Sequence, residues 1–472
     1  MPRRAAFLLA AVLVACNESP EPLSPADDTV TDAAHALVAS KAIVKIDQID
    51  MGEGAAYAIN DNGVATGTYT GGPGDQVFKW TKAGGMQFPS IEGTGHDINN
   101  NGDISGTSGD HAFLYWNLGF TSNLGTLTGG NDSDGYALNN SRHVVGRSDN
   151  ATHQHAFRWI NPGPMQDIHS FGVQPHLYSA ARGINATDQV VGWAQNGFMK
   201  DAFLWTSGIG ATVLMDYGGA ETIAYDINES GVVVGRAQDD DGVTPFGLYY
   251  AVKWTPSGIV ALSGPGVYKN AAMGINNNGY VVGVTDATDA TLWKPNGAAY
   301  ALANLPGGSG AVAEDVNIHL EIVGHGLATD FTRHAIYWKI TFFSVMIGRM
   351  IPKPKPHLPP PYITLGDPSP LQFVVLSDLR FNAAKIDPAR FTLGDWKGLD
   401  VPVMRDARGT PVSARIDYDR DGDLDLVLSF DQRALEKAGE LNARTTQLVL
   451  SADLGEGNGV YAVHEVKVVA GH

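Results

Sequence analysis

The stretch "DYDRDGDLD", residues 417 to 425, has the residue types and spacing to hold a hard cation. Asp417, Asp419, Asp421 and Asp425 fall at positions 1, 3, 5 and 9 of a loop, with Gly422 at the sharp turn and the Asp423 backbone carbonyl available at position 7. Calcium takes about six to eight oxygens at short range, and alternate carboxylates around a glycine turn supply them. Five like charges this close repel one another unless a cation neutralises them. Position 12 of the loop is Leu428 rather than Glu, and "LDLVLSF" beyond the loop has strand composition. The expected object is therefore a calcium-holding hairpin between strands, not an EF-hand.

A second stretch, "GINNNGYVVG" at 274 to 283, invites a phosphate-loop reading. A Walker-type loop needs Lys and Ser or Thr after its last glycine, then a helix. Gly279 is followed by Tyr280, Val281 and Val282, which is strand composition and offers no helix N-terminus to a phosphate. The stretch is instead one of a series. "AINDNGVATG", "DINNNGDISG", "ALNNSRHVVG", "GINATDQVVG", "DINESGVVVG" and "DVNIHLEIVG" repeat its pattern, with key asparagines Asn60, Asn99, Asn139, Asn185, Asn228, Asn276 and Asn317 spaced 39 to 48 residues apart. A second block follows each copy and ends in Trp80, Trp116, Trp159, Trp205, Trp254, Trp293 or Trp338, seven of the nine tryptophans.

These chemical candidates imply the elements that must position them. Asn-Gly between apolar runs, as at Asn62-Gly63, Asn101-Gly102 and Asn278-Gly279, is a strong hairpin signal and predicts a type I′ turn. The earlier Asn is placed to open the turn by bonding its own backbone. The Trp block makes a third strand, and a short piece near Gly-Gly, as in "LANLPGG" at 302 to 308, makes a fourth. Such small sheets bury no core alone and must stack on like neighbours. Seven four-stranded units suit a seven-bladed β-propeller, with an open solenoid as the alternative. "IVKIDQI", Ile43 to Ile49, precedes the first repeat and resembles the fourth-strand pieces, so it is expected to complete the last blade.

In fixed order, INxxGxVVG, HAFxW and a DLGTLGG-like tail resemble the HAF repeat of bacterial extracellular proteins over about residues 55 to 340. "DATLW" and "YAVKW" lose the HAF letters and Leu320 replaces a turn glycine, which argues against chemistry at His111, His155 or His334 and favours hydrogen bonding at strand edges. The acidic loop resembles the DxDxDGxxD calcium hairpins of integrin-type FG-GAP repeats. At the N-terminus, Arg3 and Arg4 precede an apolar run, and "LVAC" resembles the lipobox of bacterial lipoproteins, which implies that Cys16, the sole cysteine, becomes the lipidated first residue. Asn17 rather than Asp follows it, which implies the outer membrane.

The expected organisation is a lipoprotein signal peptide at 1–15, a flexible linker at 16–41, the repeat propeller at 42–340, a Pro-rich linker at 341–365 containing "PKPKPHLPPP", and a β-sandwich of immunoglobulin-like type at 366–472. "QRALEKAGEL" is the one helical stretch expected in the last domain. A net charge of −18 argues against nucleic acid. The favoured function is a non-catalytic binding module, a monomer held to the membrane by its lipid alone, with a protein or glycan ligand. The alternatives are a propeller lyase or glycoside hydrolase acting on extracellular polysaccharide, and a structural spacer at the surface. Asp97, Asp226 and Asp315 recur just before the Ile-Asn or Val-Asn step, and that placement favours structural work.

Overall fold

The structure is a computed structural model that describes residues 43–171, 176–240, 247–263, 266, 270–286, 289–346, 348–351, 362–377, 381–394, 400–418, 423–455 and 457–469. Cys16, Asp419, Asp421, the segments 1–15 and 16–41 and the proline run at 352–361 lie outside the described residues. Among those described, strands dominate, and the one α-helix is Gln432–Ala438.

Each repeat folds into the same antiparallel unit. In the second, the inner strand Thr94–Ile98 pairs with Ile104–Ser108, that strand with His111–Trp116, and that with the outer Phe120–Asn123. The last repeat contributes only Ser309–Val316, Glu321–Leu327 and Arg333–Val345. Its fourth strand comes from the other end of the chain. The strand Ile43–Ile59 runs antiparallel to Arg333–Val345, with Ile43 opposite Phe343 and Glu53 opposite His334, and then continues as the inner strand of the first repeat. The sheets therefore curl into a propeller-like arrangement whose ends are joined by pairing of the two termini of the repeat region.

Tryptophans fill the seams between repeats. Trp80 packs with Val323, Ala335 and Tyr337 of the last repeat, Trp254 with Val191 and Ala202 of the repeat before its own, and Trp293 with Val234 and Ala251. Trp338 is fully buried, and its indole N–H donates to the carbonyl of Ala303 in the preceding repeat at 2.9 Å. Burial of each large side chain contributes about 1.5–3 kcal/mol, and here that gain is realised only when two repeats meet. This is why the unit is repeated rather than solitary.

The turn after the inner strand differs from the type I′ expectation. Only its fourth residue is left-handed: Gly63 at φ 71°, Gly102 at 78° and Gly279 at 80°, whereas Asn62, Asn101 and Asn278 are not. The amide of Gly63 donates to the carbonyl of Asn60, and the amide of Asn60 to that of Val64. This is a type I turn followed by one left-handed residue, the other common hairpin solution. The reason is the key asparagine, whose Oδ1 accepts the amides two and four residues on at 3.0–3.1 Å in all seven copies and so holds the turn in that form. Leu320, left-handed at φ 56° in place of the glycine, is fully buried. A Cβ at Gly457 would come within 2.1 Å of its Cδ1, so the strained leucine is packed against the C-terminal region.

The C-terminal region is less separate than a spacer at 341–365 implies. Residues 341–345 continue the last strand of the ring, and Phe342 to Val345 pair in parallel with Asn458 to Tyr461. Gly348–Ile351 and Tyr362–Thr364 are also strands, pairing with Leu371–Val375 and Lys467–Val469. Apolar strand residues such as Phe342 and Phe343 thus carry the sheet directly from one region into the next. Two sheets then share one core built on Phe373, Phe391, Leu428, Phe430, Leu448 and Leu450.

Candidate functional site

The seven key asparagines meet around one axis. The Nδ2 of Asn60 donates to the carbonyl of Asn99, Asn99 to Asn139, Asn139 to Asn185, Asn185 to Asn228, Asn228 to Asn276, Asn276 to Asn317, and Asn317 back to Asn60, at 2.8–3.3 Å. The circuit is closed. Every asparagine is 2–5% exposed and spends its side chain on its own turn and its neighbour's backbone, so these residues are structural.

One residue before each Ile, Leu or Val of the asparagine step, the inner strand carries a small residue or an acid. Asp97 accepts the amides of Ile98 and Leu138, Asp226 those of Ile227 and Ile275, and Asp315 those of Val316 and Ile59, all at 2.7–2.9 Å. Each acid uses one oxygen on its own repeat and the other on the next. Burial pushes Asp97 up to about 6, against those hydrogen bonds. Burial, with added repulsion from Asp226 and Asp97, pushes Asp315 up to about 8. Asp226 is raised by burial as well.

The next residue out stands outside the repeated pattern of the sequence. In every repeat the pairing of the inner strand with its neighbour skips one residue: Tyr57, His96, Tyr136, Arg182, Tyr225, Met273 or Glu314. A β-bulge leaves its extra residue out of the ladder and re-aims the side chain. The bulge also brings an inner-strand carbonyl so close to the second strand that only glycine fits opposite. A Cβ at Gly67, Gly106, Gly146, Gly192, Gly235, Gly283 or Gly324 would lie 1.8–2.1 Å from that oxygen. The last glycine of every "VVG" is therefore the sequence signature of the bulge. Its partner three residues before each key asparagine is the position that changes most while the scaffold stays constant.

These seven bulge residues are half-buried and line one cavity of about 120 Å³, together with Asp97, Asp226 and Asp315. An arc of rings runs along one side. His325 lies edge-on to Tyr57, with centroids 6.4 Å apart. His96 is 5.9 Å from Tyr57 and 5.1 Å from Tyr136, and the Arg182 guanidinium sits 4.2 Å over the Tyr136 ring. At the other end of the arc, Glu314 Oε1 is 3.3 Å from His325 Nδ1. Burial raises Glu314 to about 7, against the pull of Arg182 and Arg333, and lowers His96 and His325 to about 4, so both imidazoles are neutral at pH 7. Tyr136 donates to Asp134, and burial raises it to about 12. By contrast, Arg182 Nε is buried without a hydrogen-bond partner. Among the described residues the Tyr225 hydroxyl and the Glu314 carboxylate also make no hydrogen bond to the protein.

Of the Trp-block histidines His111, His155 and His334, the last two pair at strand edges. His334 Nδ1 lies 2.9 Å from Asp50 and His155 Nδ1 2.7 Å from Asp167, while His155 also stacks on His169 with centroids 3.9 Å apart. In the acidic loop, Asp417 follows the strand Ser413–Ile416 and Asp425 opens Asp425–Phe430, as a hairpin requires. Asp425 is fully buried and accepts the amides of Ser377 and Tyr418 at 2.8 and 2.9 Å. Asp423 lies just before that strand.

No protein family matches the sequence, and no curated protein does. Among solved structures, similarity is found to TolB from Acinetobacter baumannii (8% identity, TM-score 0.35), where 62% of this chain and 64% of that one are covered. It extends to the gluconolactonase XC5397 from Xanthomonas campestris (9% identity, TM-score 0.35), with 62% and 90% covered. A further gluconolactonase-like structure shows 10% identity and a TM-score of 0.26. The chain thus spans less than two thirds of the TolB structure.

Proposed function

We propose that this protein is a lipid-anchored component of the bacterial cell envelope whose repeat region, a seven-bladed β-propeller, is a non-catalytic binding module for a protein or glycan. The ligand site is the axial cavity ringed by the bulge residues. One observation carries this reading: of four carboxylates lining the cavity, Asp97, Asp226 and Asp315 have both oxygens committed to backbone amides, which leaves Glu314 as the single available acid. Glycoside hydrolysis by the common mechanisms needs two such groups. What remains is a set of donors, acceptors and aromatic faces suited to recognition.

The remaining assignments follow from sequence. Cys16 carries the lipid and places the protein at the outer membrane as a monomer, and the C-terminal region is an immunoglobulin-like sandwich with a calcium hairpin at Asp417, Asp419, Asp421, Asp423 and Asp425. Asp425 is a poor probe of that ion, because its removal would strip two buried amides of their acceptor. Asp417→Ala and Asp421→Ala are better. Millimolar calcium should raise the melting temperature of the full chain and should fail to do so in either variant; an unchanged wild-type melt rejects the ion.

The axial site is tested by screening the unlipidated chain, residues 17–472, on glycan and protein arrays, with Tyr136→Ala and Arg182→Ala alongside. A ligand whose signal falls at least about tenfold in both variants supports the site. Binding untouched by either variant removes the cavity from the reading. Glu314, with its raised pKa in a cavity shared with tyrosines and Arg182, favours a second reading, a lyase acting on acidic polysaccharide. Release of unsaturated ends from uronate polymers, abolished by Glu314→Gln, would establish it.

A further inference from the structure

Arg182 and Glu314 belong to the fourth and seventh repeats of a closed circuit of seven, so they face each other from opposite sides of the axis. They line the same cavity without forming an ion pair with each other, and their coupling is felt only through space. Arg182 stacks on Tyr136 and leaves its Nε unused, and the one ion-pair contact of Glu314 among the described residues is His325 at 3.3 Å. Buried groups of this kind cost free energy unless something satisfies them. The two neutral imidazoles and three tyrosines between them add hydrogen-bonding capacity and ring faces but no charge, and the other cation that Glu314 feels, Arg333, forms no ion pair with it among the described residues.

From this geometry we infer that the axial cavity takes a small zwitterion, its carboxylate on the Arg182 guanidinium and its ammonium on Glu314, with the aromatic arc of Tyr57, His96 and Tyr136 alongside. This rests on the axial-site reading above and names its ligand class. The planar guanidinium is matched to a carboxylate by two parallel hydrogen bonds. An ammonium beside tyrosine faces gains from the ring quadrupole as well as from the Glu314 charge. The cavity, of about 120 Å³, is small beside the roughly 300–1,000 Å³ of pockets for drug-sized ligands, which favours a small ligand. A lone anion would leave Glu314 unpaired, and a lone amine would leave Arg182 unpaired. The same chemistry is presented by a free amino acid and by the side-chain-linked end of an envelope peptide.

Titration calorimetry of the unlipidated full chain at pH 8 tests the proposal. The probes are L-alanine, β-alanine and γ-aminobutyrate, which lengthen the charge separation stepwise, with propionate and propylamine as single-charge controls. At least one zwitterion should bind with saturation and at least about tenfold more tightly than both controls. Arg182→Ala should abolish that binding. The near-isosteric Glu314→Gln, checked for an unchanged fold by its melting curve, should lose the preference over propionate while retaining carboxylate binding. Nε-acetyl-lysine separates the sources: binding equal to or tighter than that of L-alanine indicates a linked peptide end, and weaker binding a free amino acid. No saturable binding by any zwitterion, or equal binding of propionate, overturns the inference. If an array ligand is lost in Tyr136→Ala but is not displaced by zwitterions, the axial-site reading stands and this one falls.

Discussion

The two ends of the propeller axis are built from the same strand, three residues apart, and they obey opposite rules. At the asparagine end every repeat has the same residue, and every polar atom of its side chain is bonded within the protein. At the bulge end the seven residues are Tyr, His, Tyr, Arg, Tyr, Met and Glu, and the Arg182 Nε is buried without a hydrogen-bond partner. Uniform and satisfied is what a scaffold requires; varied and unsatisfied is how a site looks when stability has been traded for recognition. Repetition inside one chain makes the contrast visible, because each repeat serves as a control for the others.

Breaking the scaffold side should produce the largest effects. Gly283→Ala drives a Cβ to 2.1 Å from the carbonyl of Ala271, and neither strand has space to retreat, so a loss of about 3 kcal/mol is expected in urea unfolding. Next comes Asn276→Asp, which keeps the acceptor for Asn278 and Tyr280 but replaces the donor to Asn317 by an oxygen facing a carbonyl. About 1–3 kcal/mol should be lost, and Asn276→Ala should lose more than the aspartate because the turn bonds go as well. A melt of the aspartate variant equal to that of wild type would show that the circuit is ornamental.

The layer between the two ends predicts a pH dependence. Asp97 and Asp315 keep their protons in the folded protein up to about 6 and 8, whereas the unfolded chain releases them near the ordinary value of 3.8. The folded state therefore holds more protons between pH 4 and 8, and this contribution to stability declines as pH rises through that window. The melting temperature should fall from pH 6.5 to pH 8, above the range in which His96 and His325, lowered to about 4 by burial, act in the opposite sense, and Asp315→Asn should flatten the slope while lowering stability throughout, since an amide nitrogen accepts no bond from Ile59 or Val316. The smallest effect belongs to the site side. Glu314→Gln removes a buried charge that makes no hydrogen bond to the protein, so at pH 8 it should leave stability unchanged or raise it slightly, by up to about 1 kcal/mol. A loss as large as that of Asn276→Asp would erase the distinction between the two ends.

Much of the scaffold was legible from residues alone. The asparagines, the valine-glycine steps and the tryptophans recur at a regular period because turn geometry, close strand approach and seam packing admit few residue types. Ile43–Ile49 was recognisable as a strand lacking a repeat of its own. The turn type differs from the sequence expectation because Asn-Gly suggests two left-handed residues, while the side chain of the asparagine two positions earlier holds the first of them out of the left-handed region. A spacer over 341–365 is too wide because the proline run obscures the strands on either side of it.

The site itself was not legible, and the reason is physical. A strand alternates faces with a period of two, so sequence alone assigns Tyr57, Arg182 or Glu314 to the sheet face opposite its neighbours. A bulge breaks that period by one residue and turns those side chains to the axis, and whether it forms depends on pairing with the second strand. By itself the sequence determined which residues repeat, and hence the unit and its need for neighbours. Only the tertiary structure decided where the exceptions point, because an axis exists only once the first and last repeats have paired.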